Sequence, residues 1–358
     1  MTRLLMIGLG GVARVHLQAA AGLDPAVRLV GVDPDPQRRQ WAAQGFGVEV
    51  HADLASALRG APPTLACVLT PAQLHCEHGL QVITAGVPVL CEKPLAVSVA
   101  DASVMQAAAA AFAVPLFYGA CWRWLPATLA ARSLIQAGAI GRPRLLVEQV
   151  LGGRGAASRR ALPAAHYPPG GPGGGGMGLI DHGVHLIDLF AWWLGEPVQS
   201  VFGQGEVSGQ AMLVEHVQLR FASGALGLLT YFDGSFPTRL PAEGSFGAGS
   251  EWNPAGVLTE AGRFNPEPGE ICVYGESGAL RVRHYANELY LFDTQGGRRI
   301  ALDGAPAPAH FARQLQAVLH DLSTGATSAA RADAGLAALR VIDAVHRSRA
   351  QQREIPLD

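Results

Sequence analysis

Apolar residues fall into short blocks along the first 120 positions, and the blocks alternate between two periods. Runs at 4–9, 28–33, 65–69, 88–91 and 114–118 are short and continuous, as in strands covered on both faces. The stretches 12–22, 36–45, 74–86 and 99–112 between them carry helical spacing, and several end at a glycine. Alternating β and α signals predict a parallel sheet with helices on both sides. The pattern changes after Trp122. A helix is predicted over 126–137, a strand over 144–150 and a helix over 178–194. Alternating runs at 198–207, 212–221, 225–232, 271–274, 280–285 and 288–292, separated by turn residues, predict an antiparallel sheet. Two helices, 310–322 and 332–349, close the chain. The segments 152–176 and 233–270 are rich in Gly and Pro and read as long loops, of the kind that cover sites or move.

Composition narrows the class. At 358 residues, with 49% hydrophobic and 16% charged, the chain can bury two sizeable cores. A formal charge of −2 without basic blocks argues against nucleic acid as a partner. No apolar run approaches the roughly 18 residues of a membrane span. The sequence opens directly on a strand-like run, so a signal peptide is not expected. The cysteines, Cys67, Cys76, Cys91, Cys121 and Cys272, are irregularly spaced and mostly lie in apolar runs. They read as small buried hydrophobes in a reducing, cytoplasmic setting.

Gly8-Leu9-Gly10-Gly11-Val12-Ala13 fits G-x-G-x-x-A between a strand and a helix. Gly8 permits the tight turn, Gly10 admits a pyrophosphate, and Ala13 lets helix and strand pack closely. Gly11 and Val12 open the helix, whose N–H groups and dipole face the phosphates. Asp33 ends the second strand, where a carboxylate accepts hydrogen bonds from a ribose 2′-hydroxyl. It favours NAD. Arg38 and Arg39 follow closely, so NADP stays open as a cofactor, although solvated helix residues are the plainer reading of both.

Three further stretches carry a resemblance: Thr70-Pro71-Ala72-Gln73-Leu74-His75, Glu92-Lys93-Pro94, and the run from Gly176 to Asp188 that fits G-x-x-x-x-D-x-G-x-H-x-x-D. Together with the glycine turn at 275–280 they resemble the Gfo/Idh/MocA family, the group of glucose–fructose oxidoreductase and inositol dehydrogenase. The resemblance implies an N-terminal Rossmann domain with a doubly wound parallel sheet over 1–122. It implies a C-terminal α/β domain over 123–358 with a large, mostly antiparallel sheet, the closing helices packing back on the first domain. It implies a homo-oligomer, dimer or tetramer, through that sheet. Thr70, Pro71, His75, Glu92 and Lys93 join Gly8, Gly10, Gly11, Val12, Asp33 and Arg38 as expected cofactor contacts.

The family's catalytic positions fall on Lys93, Asp181 and His185. His185 suits a base that takes a hydroxyl proton near neutral pH. Lys93 suits a cation beside a developing alkoxide. Asp181 lies four residues before His185, so a helix puts both on one face. The same three residues, with Arg123 at the domain junction, are expected to bind substrate, although hinge packing explains Arg123 equally well. Asp181, His182, His185 and Asp188 could also suggest a metal site, as could His75, Cys76 and His78. The resemblance accounts for these positions without one, and no metal is expected. Trp192 and Trp193 read as core.

The expected activity is reversible hydride transfer between a nicotinamide cofactor and a hydroxyl carbon of a sugar, polyol or related cyclic alcohol. An NAD-dependent glycosidase would use the same groups and is the alternative. A non-catalytic NAD-binding regulator would have no need of Lys93, Asp181 and His185 together.

Overall fold

The computed structural model describes residues 2–23, 27–151, 178–208, 211–232, 245–246, 252–253, 270–284, 286–305 and 307–357. Most of the two long glycine- and proline-rich segments lies outside these residues. The chain forms two compact units. The first is Met1–Cys121 with Phe311–Leu339, the second Trp122–His310 with Arg340–Asp358.

In the first unit, β1 (Arg3–Ile7), β2 (Arg28–Val32), β3 (Glu49–His51), β4 (Leu65–Val68), β5 (Val89–Cys91) and β6 (Leu116–Tyr118) form a parallel sheet in the order β3-β2-β1-β4-β5-β6. This is the doubly wound order in which the strand sequence reverses at β1. Leu4, Leu5, Met6, Val30, Leu65, Val68, Val89 and Leu90 are all within 1% of full burial, because helices cover both faces. The short β3 carries no apolar block, so the sequence pattern does not reveal it.

The helices are α1 (Gly11–Ala21), α2 (Pro36–Phe46), α3 (Leu54–Leu58), α4 (His75–Thr84) and α5 (Val99–Ala111). Asp35 caps α2, Asp53 caps α3 and Ser98 caps α5, each accepting a backbone N–H of the first turn. Such a cap contributes about 1 kcal/mol. The segment after 310 joins this unit at the β6 edge. Tyr118 N–H donates to the Ala330 carbonyl at 2.9 Å, and the Arg331 guanidinium lies 4.0 Å above the Phe117 ring. Buried Asp321 shapes the turn by accepting from Ser328 Oγ and from the Ser328 and Ala329 N–H groups.

The second unit is built on a nine-stranded sheet. Its strands are β7 (Pro143–Leu151), β8 (Val198–Ser208), β9 (Ala211–Phe221), β10 (Leu226–Phe232), β13 (Ile271–Gly275), β14 (Ala279–Arg283), β15 (Glu288–Asp293), β16 (Gly296–Arg299) and β17 (Ile355–Pro356). The order is β16-β15-β14-β13-β7-β10-β9-β8-β17. A separate two-residue hairpin pairs β11 (Ser245–Phe246) with β12 (Trp252–Asn253). Every neighbouring pair of the large sheet is antiparallel except β7 with β10. The exposed β16 and the two-residue β17 carry no alternation that a sequence pattern can reveal.

Helices α6 (Pro126–Gln136) and α7 (Val184–Leu194) belong to this unit, and Trp193 Nε1 donates to the Thr128 carbonyl at 3.0 Å. The last two helices are α8 (His310–Thr324) and α9 (Ala332–Gln351). The C-terminal half of α9 lies against β8, where Gly203 N–H donates to Ser348 Oγ. Among the described residues no helix is long and apolar enough to cross a membrane.

Candidate functional site

The expected cofactor residues of the first unit gather at the C-terminal ends of β1, β2, β4 and β5, where open α/β sheets bind ligands. Gly8 has φ +92°, and a Cβ there would lie 2.9 Å from the Leu69 carbonyl oxygen, so the turn requires glycine. At Gly10 the nearest atom to such a Cβ is Arg38 Nη1 at 3.7 Å. Among the described residues outside its chain neighbours, no other atom comes within 4 Å of it. Gly10 also supplies no side-chain cap to α1, and no acidic residue stands in its first turn. An uncapped helix N-terminus beside an open glycine fits a pyrophosphate.

Asp33 is 3% exposed and shapes the same turn. Its Oδ2 accepts from Leu9 N–H at 2.8 Å and its Oδ1 from Asp35 N–H at 2.9 Å. Arg38 Nη1 stands 3.7 Å from Asp33 Oδ2, with its side chain half exposed. Arg39 instead donates to the Asp33 and Pro34 carbonyls.

Glu92 and His75 have intramolecular partners. Glu92 Oε1 lies 2.8 Å from His16 Nε2, and Oε2 accepts from Lys93 N–H at 3.0 Å. Burial pushes the Glu92 carboxyl up. The His16 hydrogen bond and charge, with the Lys93 ammonium and N–H, outweigh burial and hold it below the usual glutamate value. The pair therefore ties α1 to the backbone of Lys93. His75, 1% exposed, places Nδ1 2.8 Å from the Pro94 carbonyl oxygen and Nε2 2.8 Å from that of Thr70. Burial lowers its pKa more than these carbonyls and Glu92 raise it. It links the turn after β4 to the turn after β5. Thr70 Oγ1 meets His78 Nδ1 at 3.2 Å, and Pro71 closes the turn by accepting from Leu74 N–H. Lys93 is half-buried and the Lys93–Pro94 peptide is cis.

In the second unit the expected helix over 178–194 begins as a π-turn, Gly178–Gly183, before α7 takes regular form. Asp181 and His182 sit on the π-turn, and His185 in the first turn of α7. His185 is 7% exposed and stacks on the Trp122 indole, with centroids 4.4 Å apart. His182 meets Trp122 and Tyr231 edge-on, and Nε2 lies 2.7 Å from Glu148 Oε1. His284 packs on Trp122 at 4.5 Å. Arg123 binds both oxygens of Asp188, Nε to Oδ2 at 2.8 Å and Nη2 to Oδ1 at 2.5 Å, and lies over Trp192. Trp193 is buried. Among the described residues no group of three or more His, Cys, Asp or Glu could hold a metal ion. His182 and Asp188, weighed as metal ligands, are engaged by Glu148 and Arg123.

Residues 2–120 match the model of the Gfo/Idh/MocA oxidoreductase family with an NAD-binding Rossmann fold, and residues 128–247 match the Gfo/Idh/MocA C-terminal domain. The chain belongs to the Gfo/Idh/MocA family. It is 28% identical over 239 residues to a D-apiose dehydrogenase from Paraburkholderia graminis, a match covering 66% of this chain and 61% of that protein. It is 31% identical over 202 residues to inositol 2-dehydrogenase 4 from Saccharopolyspora erythraea, covering 56% of each. The matched stretch thus spans less than two thirds of these relatives. The fold is similar to that of an aldose–aldose oxidoreductase from Caulobacter crescentus complexed with glycerol. That likeness has a TM-score of 0.80 and 20% identity, covering 99% of each chain.

Four residues of this Gfo/Idh/MocA protein escaped the sequence reading: His16, Gly119, Glu148 and Glu215. A signal existed for three. His16 falls in phase with Ala13, Leu17 and Ala20 on the buried side of α1. Glu148 alternates with Leu146 in β7, and Glu215 with Val217 and Leu219 in β9. A polar residue in an apolar phase marks a buried partnership. Gly119 gave none: a Cβ there would lie 2.9 Å from the Cys91 carbonyl oxygen and the Glu92 Cα, a contact only the fold creates.

Proposed function

We propose that this oxidoreductase is a dehydrogenase that moves a hydride between NAD and a hydroxyl carbon of a sugar, polyol or related cyclic alcohol. The observation that carries the reading is His185, oriented face-on by Trp122 just after Asp181, in a chain with an NAD-binding Rossmann fold. The dehydrogenase names of the D-apiose and inositol relatives support a hydroxyl-rich substrate.

When bound, the nicotinamide supplies the hydride acceptor. The α1 N-terminus and Gly10 would hold its pyrophosphate, Asp33 its adenosine ribose, and Gly8, Thr70 and Pro71 would shape the wall of the site. Arg38, whose Nη1 lies 3.7 Å from Asp33 Oδ2, would meet a 2′-phosphate, and NADP is the second candidate cofactor. His185 accepts the substrate hydroxyl proton. Lys93 stabilises the alkoxide that develops as that proton leaves. Asp181 binds a neighbouring substrate hydroxyl and favours the charged form of His185 once the proton has moved. Glu92 and His75 act behind this layer, holding the backbone of Lys93 and Pro94. Arg123, taken up by Asp188, acts by fixing the turn that carries Trp122.

The test is a panel of inositols, aldoses, alditols and glycosides offered with NAD or NADP, followed by nicotinamide absorbance. Reduced cofactor released in proportion to substrate supports the reading. Glycoside cleavage that needs NAD but releases no reduced cofactor would replace it with a hydrolase, and no reaction across the panel would overturn it.

We also propose a homo-oligomer through the outer face of the large sheet. Tyr274, Ala279 and Phe292 lie in register across β13, β14 and β15. Tyr274 is 46% and Phe292 41% exposed. Light scattering should give a dimer or larger, and Phe292→Glu should shift it towards monomer.

A further inference from the structure

We propose that Glu148 and Glu215, two buried carboxylates on the helix-facing side of the large sheet, are positioning residues that hold the π-turn Gly178–Gly183 and so set Asp181 and His185.

A π-turn is an uncommon and locally unfavourable piece of helix that recurs at functional sites. This one is gripped at both ends. Leu179 N–H, at the second position of the turn, gives its hydrogen bond to Glu215 Oε2 at 2.8 Å. A carboxylate at the positive end of a helix is doubly favoured, as acceptor and as charge. Near its other end, His182 Nε2 meets Glu148 Oε1 at 2.7 Å. Glu148 is 0% exposed, and its Oε2 has no hydrogen-bond partner among the described residues. The π-turn also comes close to the sheet. A Cβ on Gly183 would lie 3.1 Å from Tyr231 Oη, so glycine lets the backbone settle against β10.

The register places these groups on one face. Glu148 is opposite Leu229 and Leu229 is opposite Val217, while Tyr231 is opposite Glu215. The rest of that face includes Leu146, Leu219, Ile271 and Val273, all buried. Apolar residues would fill such a layer at less desolvation cost than two carboxylates. Packing alone therefore does not account for them. Directing the π-turn does, because each carboxylate meets a different group of it.

The path from Glu148 to His185 is short. Glu148 fixes His182, whose ring stands edge-on to Trp122 at 5.1 Å, and His185 stacks on the same indole. Movement of His182 would remove one of the rings, with His284, that brace the indole on which His185 stacks.

The inference rests on the proposed dehydrogenase reading only where activity is measured. The experiment uses the full chain with labelled histidine and the variants Glu148→Gln, Glu148→Leu and Glu215→Gln. A proton over the face of an indole resonates upfield, so the His185 ring signal reports the stack directly. Glu148→Leu should move that signal downfield with the far-UV circular dichroism unchanged. Glu148→Gln, which keeps an oxygen acceptor for His182, should leave it close to wild type. With the substrate found in the panel, Glu148→Leu should lower kcat about 10- to 100-fold, the cost of misplacing a reacting group, while NAD affinity holds. Glu215→Gln should cost less, since its amide oxygen still accepts from Leu179 N–H. An unmoved His185 signal in Glu148→Leu, or equal losses in the Leu and Gln variants, would overturn the proposal. Should Glu148→Leu not fold, the Glu148→Gln/His182→Phe double variant takes its place under the same criteria. If no hydroxyl compound reduces NAD with the wild-type protein, the dehydrogenase reading falls, and the His185 signal still decides this one.

Discussion

The indole of Trp122 and the imidazole of His185 lie face to face, their planes 6° from parallel and their centroids 4.4 Å apart. The stack fixes the ring orientation of the proposed base. It also offers a π face to the imidazolium that forms when the base takes its proton, an interaction of about 0.5–2 kcal/mol. Trp122→Leu should therefore lower kcat roughly 2- to 30-fold while NAD affinity is kept, and Trp122→Phe should recover most of the loss. Steady-state kinetics beside an NAD titration checks this. A Leu variant with wild-type kcat would reduce the stack to packing.

The His16–Glu92 pair makes a prediction about stability. Both side chains are nearly excluded from water, at 1% and 6% exposure. Removing one partner strands the other, at a cost of about 3–5 kcal/mol. Glu92→Ala and His16→Ala should each lower the unfolding free energy measured in urea by that amount. The double variant should cost clearly less than the two singles together, because no lone buried charge remains. Additive losses would mean that the two residues act independently.

The Rossmann half is legible in the sequence because its cues are local. The apolar blocks at β1, β2, β4, β5 and β6 are continuous, and Gly8, Gly10 and Asp33 stand at fixed offsets from them. The second unit is legible as strands and helices, but the parallel pairing of β7 with β10 is not. Leu226 sits opposite Leu145 only because the whole sheet assembles around them, and no local pattern marks either as the other's partner. The π-turn looks like plain helix in the sequence, since Asp181 and His185 keep a helical offset in either form. Arg123 fits substrate or packing in the sequence, and its pairing with Asp188 is visible only in the structure. The partners of His182 and Leu179 come from strands distant in sequence, and no spacing rule reaches them.

Asp33 carries a prediction about cofactor choice. It accepts from Leu9 N–H and is proposed to accept from a ribose hydroxyl, so its removal loosens the turn and deletes a contact. Asp33→Ala should weaken NAD roughly tenfold, about the worth of a hydrogen bond to a charged group. NADP should suffer less, because the loss of a carboxylate leaves Arg38 free to meet the 2′-phosphate. Fluorescence titration with both cofactors measures the ratio, and an equal loss for the two would remove the ribose contact from the reading.

Buried histidines set the acid side of stability. His284 is 0% exposed, and burial first, then His182 and His310, hold its pKa well below the usual 6.5. His75 is lowered too, mainly by burial. In the unfolded chain both take up a proton as the pH falls through about 6.5, while in the folded chain they stay neutral to lower pH. The unfolded state then binds more protons, so stability is complete above that value and declines as pH falls from it towards the folded-state values. The melting temperature should drop between about pH 7 and pH 5, and His284→Phe, which keeps a ring against Trp122, should make the drop shallower. A slope unchanged in that variant would assign the acid sensitivity to other groups.

Lys93 is the sharpest test of the chemistry. Its backbone N–H is held by Glu92 Oε2 at 3.0 Å, and its ammonium helps keep the Glu92 carboxyl ionised. A cation so placed costs little in stability if removed, because Glu92 keeps His16 and the peptide N–H. What is lost is the charge proposed to meet the developing alkoxide. Lys93→Ala should therefore lower kcat about 100- to 1,000-fold, as removal of a single oxyanion stabiliser does. NAD affinity should change by no more than about twofold, because the lost interaction forms only as the reaction proceeds. Lys93→Arg should retain part of the rate, since its guanidinium keeps the charge but presents it in a different shape. A loss of NAD binding as large as the loss of kcat would instead make Lys93 a cofactor ligand and leave the alkoxide without its cation.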